Sequence, residues 1–330
     1  MAEHFEGDTA NEVWRLATMA LLKKQGRGNV ASRNGETTEI LHVTFSISNP
    51  RERWICCRVP AISPAFALAE VVAIMNGCND AFVLNNWNSS LPNFQGRYDK
   101  YPGAYGQRLR SNFGFDQLER AYDTLKSNPN SRQTVMLIWD PNRDLPKING
   151  KPNNDDIPCN ICSLLKVRDN KLYWTQIIRS NDIALGVPYN FVQFTCLQEI
   201  MAGWLGVEIG EYLQVSDSLH LYNDYNIDIE DRDIMLNSDI LAVDKDTSHK
   251  CFEAIYKNML LLCSANLSAE EILRYSKIEF MPQPYNNIMA ILVAYIAFKR
   301  KYYDTSEQII SKCTNKLYIH LWNGWIKTRK

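Results

Sequence analysis

Asp156-Ile157-Pro158-Cys159-Asn160 separates a polar loop, Lys151 to Asp155, from an apolar run, Ile161 to Val167, that reads as a strand. A thiol at a loop-to-strand junction is positioned to face a cleft. The next strand candidate, Lys171 to Ser180, follows across the turn Arg168-Asp169-Asn170 and ends in Arg179-Ser180-Asn181-Asp182. A cation delivered beside a thiol lowers its pKa and makes it a better nucleophile. Leu185-Gly186-Val187-Pro188-Tyr189-Asn190 and a buried helix candidate, Phe191 to Leu205, closed by Gly206, would wall in a pocket. The competing readings of Cys159 are a buried structural thiol, or half of a Cys159-x-x-Cys162 redox or zinc pair. That pair has no second ligand pair at zinc-finger spacing, and residues 159 and 162 on an extended strand would point to opposite faces.

The chain has 330 residues, 45% of them hydrophobic, and a formal net charge of -1. That describes a globular chain with one large core or two modest ones, with no charge block to bind polymeric nucleic acid. Nine cysteines without framework spacing, and a start at Met1-Ala2-Glu3-His4 without a basic and apolar leader, point to reduced thiols and a cytoplasmic location. The longest apolar run, Ile288 to Phe298, is too short to span a bilayer and reads as a buried helix.

Thr9-Ala10-Asn11-Glu12 is a capping box, and Val13, Leu16, Ala17, Ala20 and Leu21 follow at helical spacing up to Gly26. Alternation from Ile40 to Ile47 predicts a strand. Ser63-Pro64 opens and Gly77 closes a second helix, in which Glu70 is the lone charge among apolar neighbours. Buried there, its carboxyl would be raised and able to carry protons; exposed, it is an ordinary helix glutamate. Asn79 to Gly106, rich in Asn, Gly, Pro and aromatics, reads as long irregular chain. Phe115 to Lys126 predicts an amphipathic helix and Thr134 to Trp139 a strand. After Asp224 an acidic stretch leads into helical patterns around Cys251 to Ala265, Ala269 to Ser276, Asn287 to Arg300 and Ser306 to Lys312.

Pro158-Cys159, Arg179-Ser180-x-Asp182, Leu185-Gly186-x-Pro188-Tyr189-Asn190 and His220-x-Tyr222 follow one another in an order and spacing that resembles the folate-dependent thymidylate synthase family, which includes the pyrimidine nucleotide hydroxymethylases. The resemblance covers roughly residues 9 to 225. It implies an α/β (α+β) fold with a mixed sheet packed by helices, a catalytic domain over 1–225, and an appended, divergent helical region over 226–330. It also implies a homodimer acting on dUMP with 5,10-methylenetetrahydrofolate and no metal. Cys159 matches the nucleophile that adds to C6 of the base, Glu70 the proton-handling acid, and Tyr105 the tyrosine beside C5. Arg33, Arg179 and Ser180 match phosphate ligands, and Arg132 matches an arginine that reaches into the partner's site. Asn190 matches the residue that reads the base; cytosine-specific relatives carry aspartate there. His220 and Tyr222 match the pair at the sugar 3′-hydroxyl. For the folate, Asp182 would bond the pterin, Leu185, Gly186 and Tyr189 would pack along it, and Trp87 is the looser match to the pterin-side tryptophan. Asp217 is one residue out of register for the family's aspartate and takes no role.

Four departures stand out. Asn160 replaces a histidine, Gln133 an arginine after Arg132, and Ile178 a glutamine before Arg179, while Trp322 to Lys330 does not match the apolar tail that closes over the folate. Hydride transfer from the folate would complete a methyl group, and water a hydroxymethyl group. The expectation is methylation, with dUMP or dCMP hydroxymethylation as the alternative and an inactive nucleotide-binding homologue as a further one.

Overall fold

The computed structural model describes residues 2–24, 29–32, 35–230 and 235–329. The chain begins β1 (Glu3–Gly7), α1 (Ala10–Lys24), β2 (Val30–Ser32), β3 (Gly35–Ile47), β4 (Arg58–Val59), α2 (Pro64–Met75), α3 (Ala81–Trp87), α4 (Leu91–Gln95), α5 (Tyr105–Arg110) and α6 (Gln117–Ser127). It continues with β5 (Val135–Leu137), α7 (Pro141–Asp144), β6 (Asn160–Arg168), β7 (Lys171–Ile178), β8 (Asn181–Asp182), α8 (Val187–Leu205), β9 (Glu208–Tyr222) and β10 (Asp228–Ile229). The helices α9 (Lys245–Ser264), α10 (Ala269–Arg274), α11 (Gln283–Lys299), α12 (Tyr303–Ser311) and α13 (Lys316–Lys327) follow.

Among the described residues, eight strands form one mixed sheet in the order β1-β3-β9-β7-β6-β5, with β2 added on β3 and β8 on β9. This is the α/β architecture expected. The turn at Asp169 and Asn170, both at positive φ, closes the antiparallel β6–β7 hairpin. The sheet has two unlike faces because side chains alternate along each strand. Phe45 meets Phe191 of α8 edge-on at 5.5 Å, and Gln198 of α8 donates to the carbonyls of Leu172 and Gly210. On the other face Leu41, Val135 and Leu137 are exposed, and Leu164, Ile177 and Val215 are half-buried. Cys162 lies on that open face, paired with Leu137 and Ile177.

The cap at Ser63, whose hydroxyl accepts from the Phe66 amide, sets the start of α2, and Gly77 at φ +67° ends it. The stretch from Asn79 to Gly106, expected to be irregular, instead contains α3 and α4 and the start of α5. These helices are short, and α3 has a side-chain cap, the Asp80 carboxylate accepting from the Phe82 amide. The four helices expected after residue 225 are present. A further one, α13, buries Leu317, Leu321, Trp322 and Trp325, the leucines each worth roughly 1.5–3 kcal/mol when fully buried. The hydrophobic core runs without interruption from α1 to α13. Among the described residues no helix is long and apolar enough to cross a membrane.

Candidate active site

A cavity of about 1100 Å3 opens where α2, α5, the N-terminus of α8, the end of β9 and the loop before β6 converge. Cys159 lines it, half-buried, at the point where that loop enters the sheet. The Arg179 amide donates to the Cys159 carbonyl at 2.9 Å. Its guanidinium donates to the carbonyls of Pro158 (3.0 Å) and Ile157 (3.2 Å) and stacks 5.3 Å over the Trp139 ring. These bonds pin a permanent cation on the backbone that leads into Cys159, and the cation lines the same cavity.

Glu70 projects from α2 into the same cavity and accepts from Gln193 of α8 at 2.7 Å. Burial raises its pKa to about 8, opposed by that hydrogen bond. Near neutral pH it is therefore an acid with a proton to give. Tyr105, the first residue of α5, is held neutral: burial raises its pKa most, the Cys159 charge adds to this, and a hydrogen bond from Asn160 opposes it. Asn190 Oδ1 accepts from Asn160 (3.3 Å) and its Nδ2 donates to Asn181 Oδ1 (3.0 Å). Each group of the Asn190 amide keeps one further hydrogen-bonding position beyond these two bonds, enough to read a base edge.

Asp182 pairs in register with His220 where β8 joins β9, and its carboxylate accepts from the amides of Ala184 and Leu185. Burial raises Asp182 and lowers His220. Tyr222 stands edge-on to His220 at 5.4 Å, and both line the cavity with Ser180. Leu185, Gly186 and Tyr189 form the adjoining wall, where the Tyr189 hydroxyl accepts from the Ser63 amide. Trp87 closes the far side against Tyr295 of α11, ring centres 5.4 Å apart. The Trp87 indole N–H is buried without a hydrogen-bond partner among the described residues.

Two expected site residues are not in this group. Arg33 lies outside the described residues, although its neighbour Ser32 lines the cavity. Arg132 is exposed just before β5 and does not line the cavity. Asp217, given no role, is exposed, and its carboxylate accepts from His42 Nδ1 at 3.0 Å. Sequence reasoning missed Arg58, which lines the cavity and donates to Tyr225 Oη at 2.9 Å. A lone arginine in the run Ile55-Cys56-Cys57-Arg58-Val59 was the available signal. It also missed Gln193, one turn beyond Asn190 on an apolar helix, and the wall contributed by Tyr295, Phe298, Lys299, Trp325 and Arg329.

The family model for thymidylate synthase matches residues 24–242, about two thirds of the chain. The deoxyuridylate hydroxymethyltransferase of Bacillus phage SP01 is 34% identical over 234 residues, 67% of this chain and 59% of that protein. The deoxyuridylate hydroxymethyltransferase of Pseudomonas phage M6 is 33% identical over 58% of this chain and 54% of its own. The thymidylate synthase of Listeria monocytogenes serotype 4b (strain CLIP80459) is 32% identical over 40% of this chain and 41% of its own. The chain thus spans between two fifths and three fifths of the length of these relatives. The match embraces the thiol loop, the hairpin that carries Arg179, and α8 with Asn190, so the chain belongs to the thymidylate synthase family.

Proposed function

We propose that this chain transfers a one-carbon unit from 5,10-methylenetetrahydrofolate to C5 of dUMP, with Cys159 as nucleophile. The observation that carries the reading is the convergence of Cys159, the pinned Arg179, the raised Glu70 and Asn190 on one cavity. The Cys159 thiolate adds to C6 of the uracil ring, the electron pair placed on C5 bonds the incoming carbon as that carbon's bond to folate nitrogen breaks, and loss of the C5 proton with expulsion of the thiolate from C6 restores the ring. Bound folate supplies the carbon. Arg179, Ser180 and Arg33 bind the phosphate; Asn190 takes the base edge, and His220 and Tyr222 the sugar. Glu70 delivers a proton to the base or leaving group, and Tyr105 faces C5. Asp182, Leu185, Gly186, Tyr189 and Trp87 hold the pterin.

Completion by water, giving hydroxymethyl-dUMP, is favoured by the two phage relatives, which match the longest stretches among those compared. Asn160 in place of the family histidine, next to Asn190 and Tyr105, changes the groups that would order water at C5. Methylation to dTMP is the second reading, supported by the family model and the Listeria synthase. Incubation with dUMP and methylenetetrahydrofolate separates them. Hydroxymethyl-dUMP without a rise in dihydrofolate absorbance supports the first; stoichiometric dihydrofolate supports the second. Absence of any C5 product, with dUMP still bound, would leave the inactive nucleotide-binding homologue.

The half-open apolar face of Val135, Leu137, Leu164, Ile177 and Val215 suits a second copy of the chain, with Arg132 at its edge reaching the partner's site. A monomer in sedimentation at micromolar concentration would remove this assembly. The enzyme is assigned to the cytoplasm, with residues 1–225 as catalytic domain and 226–330 as an appended helical region.

The raised Glu70 carries a pH signature. Its carboxyl is protonated below about 8, so proton delivery holds at lower pH and fades as pH rises through that value. Glu70→Gln keeps the hydrogen-bonding shape without the titrating proton. Turnover should fall by about 10^2–10^4-fold, and the alkaline limb near 8 should vanish from the kcat profile. Retention of that limb would assign it to another group.

A further inference from the structure

A line of buried amides runs behind Asn190. Trp174 and Gln176 lie two apart on β7 and share the face packed by helices. The Trp174 indole donates to Gln176 Oε1 at 3.1 Å, and the Ser163 hydroxyl donates to the same oxygen at 2.6 Å. Gln176 Nε2 donates to Asn160 Oδ1 at 2.9 Å, and Asn160 Nδ2 to Asn190 Oδ1 at 3.3 Å. Asn190 Nδ2 donates to Asn181 Oδ1, and Asn181 Nδ2 to Ser216 Oγ, each at 3.0 Å. Trp174, Gln176, Asn160 and Asn181 are at most 1% exposed, so water does not replace a lost partner.

A carboxamide can be turned end for end with little change of shape, so each amide alone has two senses. An indole N–H can only donate. It therefore requires an oxygen from Gln176, and that choice propagates through Asn160, Asn190 and Asn181, each oxygen facing the preceding amide's N–H. At the far end Ser216 supplies a hydroxyl, which accepts either sense. Gly186 presses on the chain there: a Cβ at that position would stand 2.8 Å from Asn181 Oδ1.

We infer that Trp174, through Gln176 and Asn160, holds Asn190 in one amide sense and so sets the discrimination between uracil and cytosine. Uracil presents an N3 donor beside an O4 acceptor, and cytosine the reverse. A base in the same pose with reversed groups meets donor against donor and acceptor against acceptor at Asn190. Turning Asn190 to suit it would oppose like groups all the way back to Trp174. Trp174 and Gln176 are positioning residues, out of reach of the substrate, and their effect is on base choice. The inference rests on the dUMP reading above.

The test is tritium release from C5-labelled dUMP and dCMP in the presence of methylenetetrahydrofolate. Trp174→Phe leaves Gln176 Oε1 with only the Ser163 hydroxyl, which can donate or accept, and Gln176→Met removes the link to Asn160 while keeping the indole. Both should lower the dUMP-to-dCMP ratio of kcat/KM by about tenfold or more, whereas a merely structural loss lowers both substrates together. Ser163→Ala, which keeps the indole donor, should leave the ratio unchanged. An unaltered ratio in both Trp174→Phe and Gln176→Met overturns the relay while the dUMP reading stands. Release from neither nucleotide, or equal release from both, in the unaltered protein overturns the dUMP reading and the relay with it.

Discussion

Cys159→Ala should abolish C5 exchange on dUMP, by about four orders of magnitude or more, the scale on which a covalent catalyst fails without its nucleophile. Cys162 cannot substitute: three residues on, it lies on the open face of the sheet between Leu137 and Ile177. Cys162→Ala should therefore keep its activity. Binding of dUMP should survive in Cys159→Ala, because the guanidinium of Arg179 is held by the backbone carbonyls of residues 157 and 158 rather than by the thiol. Loss of exchange with retained binding separates a missing nucleophile from a damaged fold. The complementary measurement traps the intact protein with a 5-fluoro-dUMP analogue and folate and maps the modified peptide. Retained exchange in Cys159→Ala, or an adduct on another peptide, would overturn the assignment.

What the sequence disclosed and what it withheld follow from the range of the interactions. The β6–β7 hairpin and α8 are legible because apolar alternation, an Asp-Asn turn and an apolar run between Pro188 and Gly206 are local signals. Glu70 is legible as a single charge in an apolar helix. Its partner Gln193 is not, since the two are 123 positions apart and meet only when α2 packs on α8. The helices after residue 225 are equally visible one by one. That α11 and α13 line the cavity depends on α11 packing against α2 and α9, which periodicity does not encode. The amide relay is the extreme case. Trp174 and Gln176 read as ordinary alternating strand residues, and their chemistry exists only because Asn160 is brought beside one end of the pair.

Asp144→Ala should destabilise the fold by about 3–5 kcal/mol, the cost of leaving a buried charge without its counter-ion. Arg108 and Asp144 are both buried, joined by two parallel bonds of 2.9 and 2.8 Å. Arg108 also donates to the Pro102 carbonyl at 2.7 Å, and Asp144 accepts from the Asp140 amide at 2.8 Å. The pair thus ties α5, which begins with Tyr105, to the segment from Ile138 to Asp144, which includes Trp139 beneath Arg179. Removing the carboxylate strands the guanidinium where water does not reach it, and the segment carrying Trp139 loses its anchor. A urea titration should show the lower stability, with dUMP affinity falling in parallel as the Arg179 platform loosens. Arg108→Met with Asp144→Leu removes both charges together and should recover most of the stability, because an apolar pair carries no desolvation penalty. If Asp144→Ala alone unfolds at the same urea concentration as the unaltered chain, water reaches Arg108 and the pair is not the clamp between α5 and α7.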